Sequence, residues 1–126
     1  MILLDTHVVV WLYAGELERF PHAALRRIEG EDELGISPLV VLELQYLYEI
    51  GRITVAPAAI LADLAIRLGL QQVEPQLGPL VEQACCLGWT RDPFDRLIVA
   101  QALLQGVELV TKDRLIGVHF SGVVWD

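Results

Sequence analysis

Four carboxylates stand where a folding chain has little structural use for them. Asp5 follows directly on the apolar run Ile2 to Leu4. A short run of that kind reads as a buried strand, so the Asp5 side chain is expected at the strand's carboxyl edge. Glu43 has Leu39, Val40, Tyr46 and Leu47 three and four positions away. On a helix those are its neighbours, and a carboxylate in an apolar face costs free energy unless a cation, a metal or hydrogen bonds compensate it. Asp95 falls at the third position of a helix opened by Asp92-Pro93, and Asp113 lies just past the short apolar strand Val107 to Thr111. Each has a plainer reading: a helix cap for Asp5 and Asp113, an edge position reaching solvent for Glu43. Asp92 reads mainly as a cap, with Arg96 four residues on and within ion-pair reach. Asp95 has weaker local obligations and is the better functional candidate of the two.

If these acids meet, they repel one another and raise one another's pKa. A hard divalent cation resolves that conflict. Mg²⁺ prefers a few carboxylate oxygens together with waters and substrate phosphates, so four acids without a histidine or thiol ligand suit Mg²⁺ or Mn²⁺ better than zinc. His7, His22 and His119 are scattered and read as surface or capping residues. Four of the nine basic residues, Arg91, Arg96, Lys112 and Arg114, flank the acids of the segment from Arg91 to Asp113. A locally basic rim around an acidic centre suits a phosphate-bearing substrate held by a metal, and Arg96, Lys112 and Arg114 are the candidate phosphate contacts. The net charge of -8 argues against a broad nucleic-acid surface, because phosphate binding is driven by basic patches.

The elements that must position these side chains are legible in outline. Strands are expected at 2–4, 34–37, 70–73, 107–111 and 123–125, and helices at 6–13, 21–28, 38–50, 58–68, 78–87 and 93–105, with one turn possible at 114–116. Glycines at 15, 51, 69 and 106 close four of the helices. Strands alternating with helices imply one α/β domain with a mostly parallel sheet, and in such sheets chemistry sits beyond the carboxyl ends of the strands. At 54% hydrophobic residues the chain has ample material for a core. No uncharged apolar run reaches the ~18 residues of a membrane span, and MILLD has no basic leader, so a cytoplasmic protein is expected. Cys85 and Cys86 are adjacent and read as buried core thiols.

LLDTH at 3–7, SPLVVLEL with Glu43, RDPFDRLIVAQA at 91–102 and LVTKD at 109–113 together resemble the motifs of PIN domains, in the family's order and over nearly the whole chain. They are most similar to the VapC-type toxins of prokaryotic toxin–antitoxin pairs. The resemblance implies a three-layer α/β/α fold with a central, mostly parallel five-stranded sheet, as a single domain over residues 1–126. It implies an Mg²⁺- or Mn²⁺-dependent ribonuclease that hydrolyses single-stranded or structured RNA through a metal-activated water. Asp5, Asp95 and Asp113 match the metal-proximal acids, and Glu43 a ligand or the group that orients a bound water. Asp92 matches a supporting acid, and Thr6 and Thr111 match hydroxyls behind the ligands. A homodimer and a small antitoxin with a basic side chain near the acids are implied as partners. Where many relatives have a histidine before RDPFDR, this chain has Trp89 and Thr90. A silent PIN-like binding module is the alternative. A phosphotransfer receiver wants an acidic pair after the first strand, and a haloacid-dehalogenase-type phosphatase wants Asp-x-Asp, whereas position 7 is His.

Overall fold

The computed structural model describes all 126 residues. Five parallel strands form its sheet: β1 (Ile2–Leu4), β2 (Leu34–Ile36), β3 (Gln71–Gln72), β4 (Glu108–Val110) and β5 (Val123–Val124), in the spatial order β3-β2-β1-β4-β5. Every neighbouring pair is parallel. Parallel neighbours cannot be joined by hairpins, so helical crossovers link them and cover both sheet faces. The crossovers are α1 (Thr6–Ala14), α2 (His22–Gly30), α3 (Pro38–Glu49), α4 (Pro57–Leu68), α5 (Leu77–Cys85), α6 (Pro93–Gln105) and α7 (Arg114–His119). The result is the three-layer α/β arrangement with a parallel sheet that the sequence implies.

The first strand occupies the middle of the sheet. From β1 the chain winds outward through β2 to β3, then returns to the other side of β1 and continues through β4 to β5. The direction of winding therefore reverses between β1 and β4, and open α/β sheets bind ligands at such a switch point, outside the carboxyl ends. Leu4 is in register with Val110 there, and the Asp5 N–H donates to the Val110 carbonyl at 3.0 Å.

The central strands are buried on both faces, as their uninterrupted apolar composition requires: all of β1 and β2, with Leu109 and Val110 of β4. Gly35 in β2 has a packing reason. A Cβ built there would lie 2.7 Å from a Val73 methyl, 2.8 Å from the Met1 sulfur and 3.2 Å from a Leu3 methyl. Gly35→Val is therefore expected to destabilise the protein by about 2–3 kcal/mol through overpacking, read as a lowered denaturant midpoint with an unchanged m value.

Several expectations are corrected. Cys85 and Cys86 are exposed rather than buried. Leu80 and Ala84, four residues apart, form the core face of α5, which turns the next two positions away from it. The third strand shortens from 70–73 to Gln71–Gln72, although the Val73 N–H still donates to the Ile36 carbonyl at 2.9 Å. The turn expected at 114–116 is a six-residue helix capped by Asp113, which accepts from the Ile116 N–H.

Candidate functional site

Four acids from separate parts of the chain reach one cavity at the switch point, about 560 Å³ in volume. Asp5 arrives as the residue after β1 and the N-cap of α1. Glu43 comes from α3, which Ser37 caps and Pro38 opens. Asp95 lies in the first turn of α6, and Asp113 follows β4 as the N-cap of α7. Asp92, Lys112, Arg114, His7 and Trp11 also line the cavity. Each acid sits at a strand end or in the first two turns of a helix, because those are the parts of an α/β fold that open onto the carboxyl edge of the sheet.

Two buried threonines fix the carboxylates. The Thr111 hydroxyl donates to Asp5 Oδ2 at 2.5 Å and accepts from the Asp113 N–H at 3.0 Å, which joins the acid after β1 to the one after β4. The Thr6 hydroxyl donates to Glu43 Oε1 at 2.5 Å, and the Thr6 N–H donates to Asp5 Oδ1 at 2.8 Å. Thr6 and Thr111 are almost fully buried. Neither has another use for its hydroxyl, so both hold acids in place.

The acids raise one another's pKa. Burial pushes the Asp5 carboxyl up, against the bonds from Thr111 and Thr6 that favour its charged form. Burial also raises Glu43, opposed by the Thr6 hydroxyl and reinforced by Asp5 and Asp92. Asp95 is pushed up to about 7, first by burial and then by Asp92, Asp5, Asp113 and Glu43. A carboxyl that feels four others lies at the electrostatic centre of the cluster.

The flanking residues sort themselves by hydrogen bonding. Asp92 caps α6, its Oδ1 accepting from the Phe94 N–H at 2.9 Å and the Asp95 N–H at 3.3 Å. The ion pair expected between Asp92 and Arg96 is absent. Arg96 instead donates to the carbonyls of Thr90 at 2.8 Å and Ala84 at 3.5 Å, clamping the end of α5 to the start of α6. That removes Arg96 from the candidate phosphate contacts, since it does not line the cavity. Lys112 and Arg114 do line it. Trp11 is on the cavity wall with His7. The spacing of four from His7 to Trp11, one helical turn beyond Asp5, is the signal that places both on one face of α1.

The PIN domain family model matches residues 2–117. The chain belongs to the PIN-domain family. Within the family it is of the VapC type: it is 36% identical to Ribonuclease VapC22 of Mycobacterium tuberculosis over 120 residues, covering 94% of this chain and 91% of that protein. The PIN fold is shared with more distant structures. One is VapBC2 from Rickettsia felis bound to a DNA fragment from their promoter, with a TM-score of 0.67, 20% identity and 100% of both chains covered. Another is DNA-bound VapBC from Salmonella typhimurium, with a TM-score of 0.66, 19% identity, and 97% of this chain and 93% of that one covered.

The donor set of this PIN domain is all oxygen, the chemistry of a hard cation. No three His, Cys, Asp or Glu side chains close into a ready coordination shell. An open arrangement of that kind does not suit a fully protein-enclosed ion. It does fit Mg²⁺ or Mn²⁺, which keep several waters and take only one or two protein carboxylates directly. Asp5, Asp95, Asp113 and Glu43 all line this space and are the carboxylates from which such ligands would be drawn.

Proposed function

We propose that the chain, as a single domain over residues 1–126, is an Mg²⁺- or Mn²⁺-dependent ribonuclease of the VapC toxin class that hydrolyses phosphodiester bonds in RNA. The observation that carries this reading is the gathering of Asp5, Glu43, Asp95 and Asp113 into one cavity, where burial and then mutual repulsion push the Asp95 pKa up to about 7. Carboxylates so arranged, with no basic side chain in ion-pair contact with any of the four, call for an external cation. The likeness to Ribonuclease VapC22 supports RNA as the substrate.

When bound, the divalent cation supplies a water of lowered pKa and neutralises charge that develops at phosphorus. The chain's own residues prepare that chemistry. Thr111 and the Thr6 N–H hold Asp5 in one orientation, with no rotation needed on binding. Thr6 holds Glu43 Oε1, leaving the other carboxylate oxygen to accept from a water in the cavity. Burial and the neighbouring carboxylates push the Asp95 carboxyl up to about 7, so a bound cation would favour its anionic form. Asp92 stabilises the start of α6, which carries Asp95, and so acts by positioning. Lys112 and Arg114 meet substrate phosphates at the rim. The partners proposed for this site are a cognate small antitoxin that covers it and a second copy of the chain, in the cytoplasm. Crystal structures of VapBC complexes share the fold, which supports the first of these. No helix is long and apolar enough to cross a membrane.

Incubation of the purified protein with a mixture of single-stranded and structured RNAs in Mn²⁺ should give internal cuts, read by sequencing the new ends. An RNA population left intact across all of them would refute the proposal.

A further inference from the structure

Asp95 and Asp113 belong to segments that touch a second time, away from the cavity. The indole of Trp89, six residues before Asp95, lies flat on the imidazole of His119, six residues after Asp113. The ring centres are 5.0 Å apart and the planes differ by 6°. Neither ring lines the carboxylate cavity. His119 is exposed, and Trp89 is half-buried against the core.

Each ring is fixed to its acid through the backbone. Trp89 lies in the connection between α5 and α6, where Arg91 donates to the Gly88 carbonyl at 2.7 Å and Arg96 to the Thr90 carbonyl at 2.8 Å. The Thr90 hydroxyl accepts from the Asp92 N–H at 3.2 Å, and Asp92 caps the helix that carries Asp95. The connection and the first turn of α6 therefore move as one piece. His119 is the last residue of α7, whose N-cap is Asp113. The buried Ile116 and Phe120 anchor that helix, the Phe120 N–H donating to the Ile116 carbonyl at 2.8 Å. Six helical residues span only about 9 Å, so a shift of His119 reaches Asp113.

The helices packed most closely on α6 are α5 and α3, not α7. The stacked rings are thus a direct tie between the two acid-bearing segments. At the cavity the same segments are pushed apart, because Asp113 is among the carboxylates that repel Asp95. Attraction between the rings opposes that repulsion from the far end.

Building on the ribonuclease reading, we infer that Trp89 and His119 are a positioning pair, a strut that sets the separation of Asp95 and Asp113 so that one divalent cation can take both. The pair acts through the acids and touches neither cation nor RNA. Acids already held at the right separation lose less freedom when the ion arrives, which tightens binding.

The test is Mn²⁺ binding to the full chain without RNA, with the free ion followed by electron paramagnetic resonance. His119→Ala, at an exposed position, should weaken binding about three- to ten-fold, the contribution of an aromatic pair. His119→Phe keeps a flat ring and should restore most of the affinity. Trp89→Leu should match the alanine variant, and the double variant should lose no more than either single one, because both remove the same contact. Cleavage of RNA by His119→Ala should fall at limiting Mn²⁺ and recover at saturating Mn²⁺. Wild-type affinity in His119→Ala, a loss that phenylalanine does not restore, or additive losses in the double variant would overturn the strut. A lowered metal-free melting temperature with unchanged Mn²⁺ affinity would overturn it too, by making the stack structural only. Cleavage by the wild-type protein is scored separately, so a failed strut leaves the ribonuclease reading standing, and absent cleavage fails that reading by itself.

Discussion

Asp5→Asn is expected to reduce RNA cleavage by at least about 10²-fold while leaving the metal-free protein as stable as wild type or more so. The activity loss follows from position. Asp5 stands at the end of the central strand, and its carboxylate accepts from both Thr111 and the Thr6 N–H. Removing one preorganised charged group from such a site commonly costs about 10²–10³ in rate. The stability argument runs the other way. Asp5 raises the pKa of Glu43 and of Asp95 by repulsion, and its own carboxyl is raised by burial. Asparagine removes a buried charge and that repulsion together, and its side-chain oxygen still accepts from the Thr6 N–H. Initial rates on RNA and thermal melts in EDTA measure the two effects. Wild-type cleavage by the variant would remove Asp5 from the site, and a large fall in melting temperature would make its role structural.

Chelation of divalent metal is expected to abolish cleavage, and the same cluster should make stability depend on pH. The Asp95 carboxyl titrates near 7 when folded and near 3.8 when unfolded. Between those values the folded state binds more protons than the unfolded state, so stability falls as pH rises through the window and levels off above about 7. Asp5 and Glu43 are shifted in the same direction and add to the slope. Asp95 is half-buried, so its share is discounted to roughly 1–2 kcal/mol, a melting shift of about 5 °C. A saturating divalent cation offsets the repulsion and should flatten the slope. Mn²⁺ should therefore stabilise the protein little at pH 5 and most at pH 8. At 100 times its dissociation constant the gain is about 2.7 kcal/mol. Asp95→Asn should flatten the metal-free slope as well. A metal-free melting temperature that climbs from pH 5 to pH 7 contradicts the cluster, as does equal stabilisation by Mn²⁺ at both ends.

Much of this was legible without coordinates, because it rests on local signals. Asp92-Pro93 and Ser37-Pro38 announce helix starts by cap and ring, and both helices begin there. The apolar triplet before Asp5 marks a buried strand by its composition alone. Glu43 betrays itself by being a carboxylate among apolar helical neighbours. These are properties of a few consecutive residues, and a chain carries them whatever it packs against.

Three features depended on the tertiary structure. Pairing between parallel strands is non-local, so nothing near Asp5 says that β1 lies in the middle of the sheet with β4 beside it. That placement alone brings Thr111 to Asp5 across 106 residues. Arg96 sits four residues from Asp92 yet bonds to Thr90 and Ala84, because α5 ends against the start of α6 and leaves carbonyls within reach of its guanidinium. Cys85 and Cys86 look like core residues by type and face solvent, because Leu80 and Ala84 already fill the inward face of α5. Sequence determined which side chains are available for chemistry. The order of the strands, fixed by long-range packing, decided which of them meet.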